Sequence, residues 1–232
     1  MKNLFGLLSV ALMLVGCAAT SEPEGAAVEV SRELEPPVME EKMVEDYSMA
    51  SSWPAFNTFT LFGEGDDVIV LDQAIDMISV ANVHGTTELR QLSLVSLGAN
   101  GEYLDLLVNT ISPYQGAVLI EGHEDAVAAF EVTATGNWEI TISSLDSVPV
   151  LQPGVLYEGL GDTVLTAPAT SGLQTLDVEG GNAQRQLAIW GYGLDTDLLV
   201  NTISPYSGTV RVSSGTELFA ITATGPWSLF MP

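Results

Sequence analysis

The groups in this sequence best able to hold a ligand are its carboxylates. Asp195-Thr196-Asp197 spaces two acids two residues apart, which places both on one face of a strand. Gly65-Asp66-Asp67 and Gly161-Asp162 add acids at the starts of apolar runs. Such oxygens suit Ca2+, which takes about six to eight of them, so Asp195 and Asp197 are candidate metal ligands short of a complete site. Exposed turn acids are the simpler reading. A second kind of chemistry is stacking: Trp190 and Tyr192 also share a strand face, flanked by Gly191 and Gly193, and a solvated aromatic pair of this kind takes the flat face of a sugar ring. Catalysis has less to draw on. His84 and His123 are the two histidines, and there is no Gly-x-Ser-x-Gly elbow, no His-Glu-x-x-His and no phosphate-cradling glycine loop. Paired acids leave a hydrolase as the weakest alternative, and the expectation is a protein that is not an enzyme and has no catalytic residues or resident cofactor.

Charge narrows the partners. The 232 residues carry 30 Asp plus Glu against 6 Lys plus Arg, a net charge of −24. The basic residues are Lys2, Arg32, Lys42, Arg90, Arg185 and Arg211. So acidic a surface repels phosphates, which excludes nucleic acid as a partner and disfavours anionic headgroups.

The chain opens with one lysine and an apolar run from Leu4 to Val15, the pattern of a secretory signal and too short for a comfortable membrane span. Leu14-Val15-Gly16-Cys17 follows and resembles the lipobox of bacterial lipoproteins. That resemblance implies cleavage of residues 1–16, a diacylglyceryl thioether on Cys17 and an acyl chain on its new amino terminus. More than one chain is needed because each buried methylene contributes only about 0.8 kcal/mol. Ala18 lacks the aspartate that retains many lipoproteins at the inner membrane, which implies the outer membrane in a Gram-negative cell. An inner membrane or a Gram-positive membrane stays open. Cys17 is the sole cysteine, so the fold has no internal disulfide. Residues 17–52 hold the acidic, aperiodic stretch Ala18 to Ser51, expected to be a disordered tether able to set the fold ~30 Å from the lipid.

The elements that position these groups are written twice. Asp105-Leu106-Leu107-Val108-Asn109-Thr110-Ile111-Ser112-Pro113-Tyr114 recurs unchanged from Asp197 to Tyr206. Gly65-Asp66 matches Gly161-Asp162, Arg90-Gln91-Leu92 matches Arg185-Gln186-Leu187, and Thr133 to Trp138 answers Thr222 to Trp227. Two repeats follow, 53–148 and 149–232. Each shows short apolar or alternating runs punctuated by turn residues. In the first, strands are expected at 58–62, 68–71, 77–83, 91–97, 104–110, 117–121, 127–133 and 138–143, with 73–77 offering a weak helical alternative. The fold class is all-β: two tandem antiparallel β-sandwiches, jelly-roll-like. The pattern GxGD, DLLVN and ATGxW resembles tandem repeats of bacterial secreted and surface proteins. It is similar, more loosely, to sandwiches appended to secreted peptidases and to carbohydrate-binding sandwiches. These likenesses imply a fold and no site.

Within the signature, strict alternation puts Asp105, Leu107 and Asn109 on one face and Leu106, Val108 and Thr110 on the other. Asn109 and Asn201 are expected to bond the Ser-Pro-Tyr turn, closed by the hydroxyls of Tyr114 and Tyr206. Trp138 and Trp227, at matching positions, read as core plugs. Val95 and Leu97 stand where the second copy has Trp190 and Tyr192, which favours burial of that pair over a platform. Trp53 is expected to pack the end of the tether onto the first domain. The function these features point to is a membrane-anchored module binding an envelope glycan or protein, with a spacer or assembly scaffold as the alternative.

Overall fold

The computed structural model describes Trp53 and residues 56–86, 90–122, 125–169, 171–181 and 185–232. The signal, Cys17, the tether and His123 lie outside the described residues. Among the described residues sixteen strands form, eight in each repeat. The first eight are β1 (Phe59–Glu64), β2 (Asp67–Ile75), β3 (Ser79–Gly85), β4 (Leu92–Leu97), β5 (Tyr103–Thr110), β6 (Gln115–Ile120), β7 (Val127–Ala134) and β8 (Asn137–Ser143). After a 3-10 turn at Leu145–Ser147 come β9 (Leu156–Leu160), β10 (Thr163–Thr166), β11 (Gln174–Gly180), β12 (Leu187–Tyr192), β13 (Thr196–Thr202), β14 (Tyr206–Val212), β15 (Leu218–Ala223) and β16 (Pro226–Phe230). Each strand expected in the first repeat is present. The segment with a helical alternative is strand as far as Ile75, where the pairing of β2 with β7 shifts after Val70.

The sheets are ordered β1-β8-β3-β6 and β2-β7-β4-β5 in the first repeat, and β9-β16-β11-β14 and β10-β15-β12-β13 in the second. Position for position these are the same two sheets. All ladders between the strands are antiparallel, and the order is that of an eight-stranded jelly roll. The cause is legible along single strands: Leu92 and Leu94 are buried while Ser93 and Val95 turn outward, and the inward rows of facing sheets meet in a core around Phe130, Ile140 and Ile142. The second core forms around Phe219, Ile189 and Leu229.

One lock closes both sandwiches. Gly65 and Gly161 take left-handed φ of 73° and 71°, turning β1 into β2 and β9 into β10. The indole N–H of Trp138 donates to the Gly65 carbonyl at 2.9 Å, and that of Trp227 to Gly161 at 2.8 Å. Asp66 and Asp162 accept from the backbone N–H of Ala134 and Ala223 at 3.0 and 2.8 Å. Gly63 and Gly159 carry no Cβ because the indole rings occupy that space. The tryptophans are the plugs their position implied, and the GxGD acids are structural acceptors.

Strict alternation fails in DLLVN. Leu94 pairs with Val108 and Val95 with Leu106, so Leu107 is an extra, bulged residue that packs inward beside Val108. Leu199 does the same between Leu198 and Val200. The turn that follows is also not closed as expected. Thr110 and Thr202, not Asn109 and Asn201, accept from the N–H of Ser112 and Ser204, both at 3.3 Å. The Tyr114 hydroxyl leaves the turn altogether.

Candidate functional site

Tyr114 points across to the second repeat. Its hydroxyl donates to Asp162 Oδ2 at 2.6 Å, while Asp162 Oδ1 holds the Ala223 N–H. The backbone adds a bond from Ala117 N–H to the Asp162 carbonyl at 3.0 Å. Gly116 makes the approach feasible: a Cβ there would stand 2.8 Å from the tyrosine oxygen and 3.0 Å from Asp162 Cβ. Beyond it, outward residues of β3 and β6 meet outward residues of β10 and β15. Val80, Leu119 and Leu145 of the first repeat, with Ile78 and Ala117, close on Val164, Leu218 and Ala220 of the second. Val80 is wholly buried although it points away from its own sandwich core. This third core joins the two jelly rolls through their outer faces.

Burial shapes the electrostatics. Desolvation raises the Asp162 carboxyl above the usual range, against the lowering effect of the hydrogen bonds from Tyr114 and Ala223. Tyr114 is raised far above a free phenol, by burial first and then by the Asp162 charge and hydrogen bond. The pair is a neutral donor held on a costly buried anion, an arrangement that fixes geometry.

Tyr192 belongs to the same junction. It packs on the third core and donates to Glu121 Oε1 at 2.7 Å. Its phenol is raised by burial, then by Glu121, then by Asp105. Trp190, two residues along β12, faces outward at 37% exposure beside Leu198 of β13. The structure therefore separates the expected pair: Tyr192 is engaged by the first repeat, and Trp190 remains at the rim. Trp53, expected on the first repeat, packs on the junction core that both repeats build.

The proposed metal ligands gather no further acids around them. Asp195 is exposed in the β12–β13 turn, where its carbonyl accepts from Gly193, and Asp197 accepts from the Ser213 hydroxyl. Among the described residues no group of three or more His, Cys, Asp and Glu comes together. His84, exposed on β3, borders a shallow depression of ≈ 450 Å³ with Phe62, Glu64 and Glu139 over Trp138.

A cleft of ≈ 700 Å³ lies in the first repeat between the edges of β1 and β2, lined by Phe59, Leu61, Val70, Leu71 and Met77. In the second repeat the matching edge is taken by the linker. Leu151 N–H donates to the Thr166 carbonyl at 2.7 Å, Thr166 N–H to Pro149 at 3.0 Å, and Leu151 is fully buried.

The sequence singles out Asp162 only as a turn acid, and neither its partner Tyr114 nor Glu121 nor the apolar faces were anticipated. Their signal is a difference between copies: Val80, Ala117 and Leu119 stand where the second repeat has Thr175, Thr209 and Arg211. Outward apolar residues in one copy alone mark a covered face. No protein-family model and no curated protein matches the chain. Among the described residues no helix is long and apolar enough to cross a membrane.

Proposed function

We propose that this chain is a lipid-anchored, non-enzymatic envelope protein whose two jelly rolls act as one stiff arm, a spacer or assembly scaffold in a protein complex at the membrane. The single supporting observation is the junction. Tyr192, half of the expected sugar platform, is committed to Glu121, and one outer face of each repeat is joined to the other repeat. Anchoring through acylated Cys17 and placement in the outer membrane follow from the lipobox resemblance and Ala18. Protein is the partner class that suits an acidic arm with scattered apolar residues such as Trp190 and Leu198.

A second reading has its own support. The linker lies along the edge of β10 with Leu151 buried, and the cleft beside β2 is the same place in the first repeat, which suits an extended polypeptide added by strand pairing. A peptide of the linker sequence Val148 to Gln152 that perturbs Val70 and Leu71 in the full chain would favour it.

The test of the scaffold reading is photo-crosslinking in cells, from a reactive amino acid placed at Trp190 or Val68 of the lipidated chain. One stoichiometric protein adduct is expected. Adducts to glycan only, or to no protein, overturn the reading.

A further inference from the structure

The junction joins unlike faces. The trailing face of the first repeat, built by β3 and β6, meets the leading face of the second, built by β10 and β15. Each repeat owns both faces, so among the described residues each chain also has an unused leading face on its first repeat and an unused trailing face on its second. The two unused faces keep the tyrosine–aspartate parts of the used ones and lose much of the apolar contact: Thr175 and Thr209 replace Val80 and Ala117, and Leu97 and Ser213 stand for Tyr192 and Glu121.

On the unused leading face, Asp66 matches Asp162. Its Oδ1 holds Ala134 N–H as Asp162 holds Ala223, and Oδ2, the atom that receives Tyr114 in the junction, has no partner among the described residues. Val68, the counterpart of Val164, is 57% exposed, and Val70 beside it is 75% exposed. On the unused trailing face, Tyr206 matches Tyr114 and its hydroxyl sits over Gly208 as Tyr114 sits over Gly116, at 3.0 and 2.8 Å from the Cβ position. Leu173 matches Ile78, which is packed in the junction, and is 70% exposed.

The differences between used and unused faces are complementary. Leu119 in the junction becomes Arg211 on the unused trailing face, and Ala220 becomes Glu131 on the unused leading face. An apolar contact is thus replaced by a cation on one side and an anion on the other, both exposed. Arg211 is one of the few cations of an acidic fold, and its counterpart Leu119 shares the third core with Ala220, the counterpart of Glu131.

We infer that the trailing face of the second repeat docks on the leading face of the first repeat of another copy of this chain, with Tyr206 on Asp66 and Arg211 against Glu131. This rests on the scaffold reading and names its partner as a second copy. The contact is head-to-tail, so it leaves the same two faces free at the ends and extends into a row. Repulsion between the acidic copies is screened beyond about 8 Å at physiological salt, so the short-range contacts set the outcome.

The experiment uses full lipidated chains on phosphatidylcholine vesicles, donor- and acceptor-labelled at Asn100→Cys, with energy transfer as the readout. The wild type gives transfer above that of randomly placed chains. Arg211→Glu or Glu131→Arg alone weakens association about tenfold or more, and the double reversal restores it to within about threefold. Tyr206→Phe weakens it too, and the melting temperature of each variant reports an intact fold. Random-level transfer by the wild type, indifference to the single reversals, or failure of the double to restore would each overturn the inference. Stoichiometric capture of a different protein without self-association overturns it and leaves the scaffold reading standing.

Discussion

Tyr114→Phe and Tyr206→Phe make the same chemical change at equivalent positions, and only the first removes a bond. Phenylalanine keeps the ring in its core, so neither change opens a cavity. At position 114 it deletes the donor 2.6 Å from Asp162 and leaves that carboxylate with the Ala223 N–H on its other oxygen. A hydrogen bond to a charged group is worth about 1.5–3 kcal/mol, and the orphaned acceptor sits in a desolvated place. For a folded unit of this size each kcal/mol moves the melting temperature by about 2–4 °C, so Tyr114→Phe is expected to cost about 3–12 °C. Tyr206→Phe has no such partner to lose among the described residues and should stay within about 0.5 kcal/mol. Urea and thermal unfolding of the full chain at neutral pH, with the two variants side by side, measures the difference. Equal effects, or a cost at Tyr114 below about 0.5 kcal/mol, would show that the bond does not hold the repeats together.

The titrating groups give a second prediction. A carboxyl raised in the folded state, as Asp162 is, contributes stability that is complete below the unfolded carboxyl range and lost as pH rises through the folded value. Relative to Asp162→Asn, the wild type should therefore gain stability in urea as pH falls from 7 to 4, and a relative loss would contradict the raised carboxyl. Tyr114 and Tyr192 are both raised, so at pH above about 10 their ionisation favours the unfolded chain. An absorbance titration near 295 nm should leave these two phenols un-ionised until the fold opens. Gly63→Ala and Gly159→Ala each drive a methyl into an indole ring and should cost about 1–3 kcal/mol in urea unfolding, with a shift in tryptophan emission. Leu151→Ala empties a fully buried position that the linker fills, at about 2–5 kcal/mol by the same measurement.

The fold was readable because the inward rows of a sandwich are apolar whatever surrounds the domain. Leu92 and Leu94, or Val178 and Leu176, announce a buried face from the sequence alone. The bulge at Leu107 was not readable by alternation, since inserting one residue puts two neighbours on the same side. The site was harder for a different reason. Tyr192 beside Trp190 reads equally as platform or filler, and only the position of Glu121 in the other repeat decides between them. Asp162 looked like a turn acid because its partner lies 48 residues away in another domain. What does survive in the sequence is the contrast between copies. Leu119 against Arg211 and Ala220 against Glu131 mark which face is covered inside the chain and which is not.

A stiff arm requires the two jelly rolls to move as one body. Spin labels at Asn100→Cys in the first repeat and Ser171→Cys in the second, on the lipidated full chain, give the distribution of distances between them by pulsed electron resonance. A single narrow distribution that broadens in Tyr114→Phe is the predicted result. A broad distribution in the wild type, unchanged by that substitution, would mean that the repeats are independent beads and that the arm does not exist.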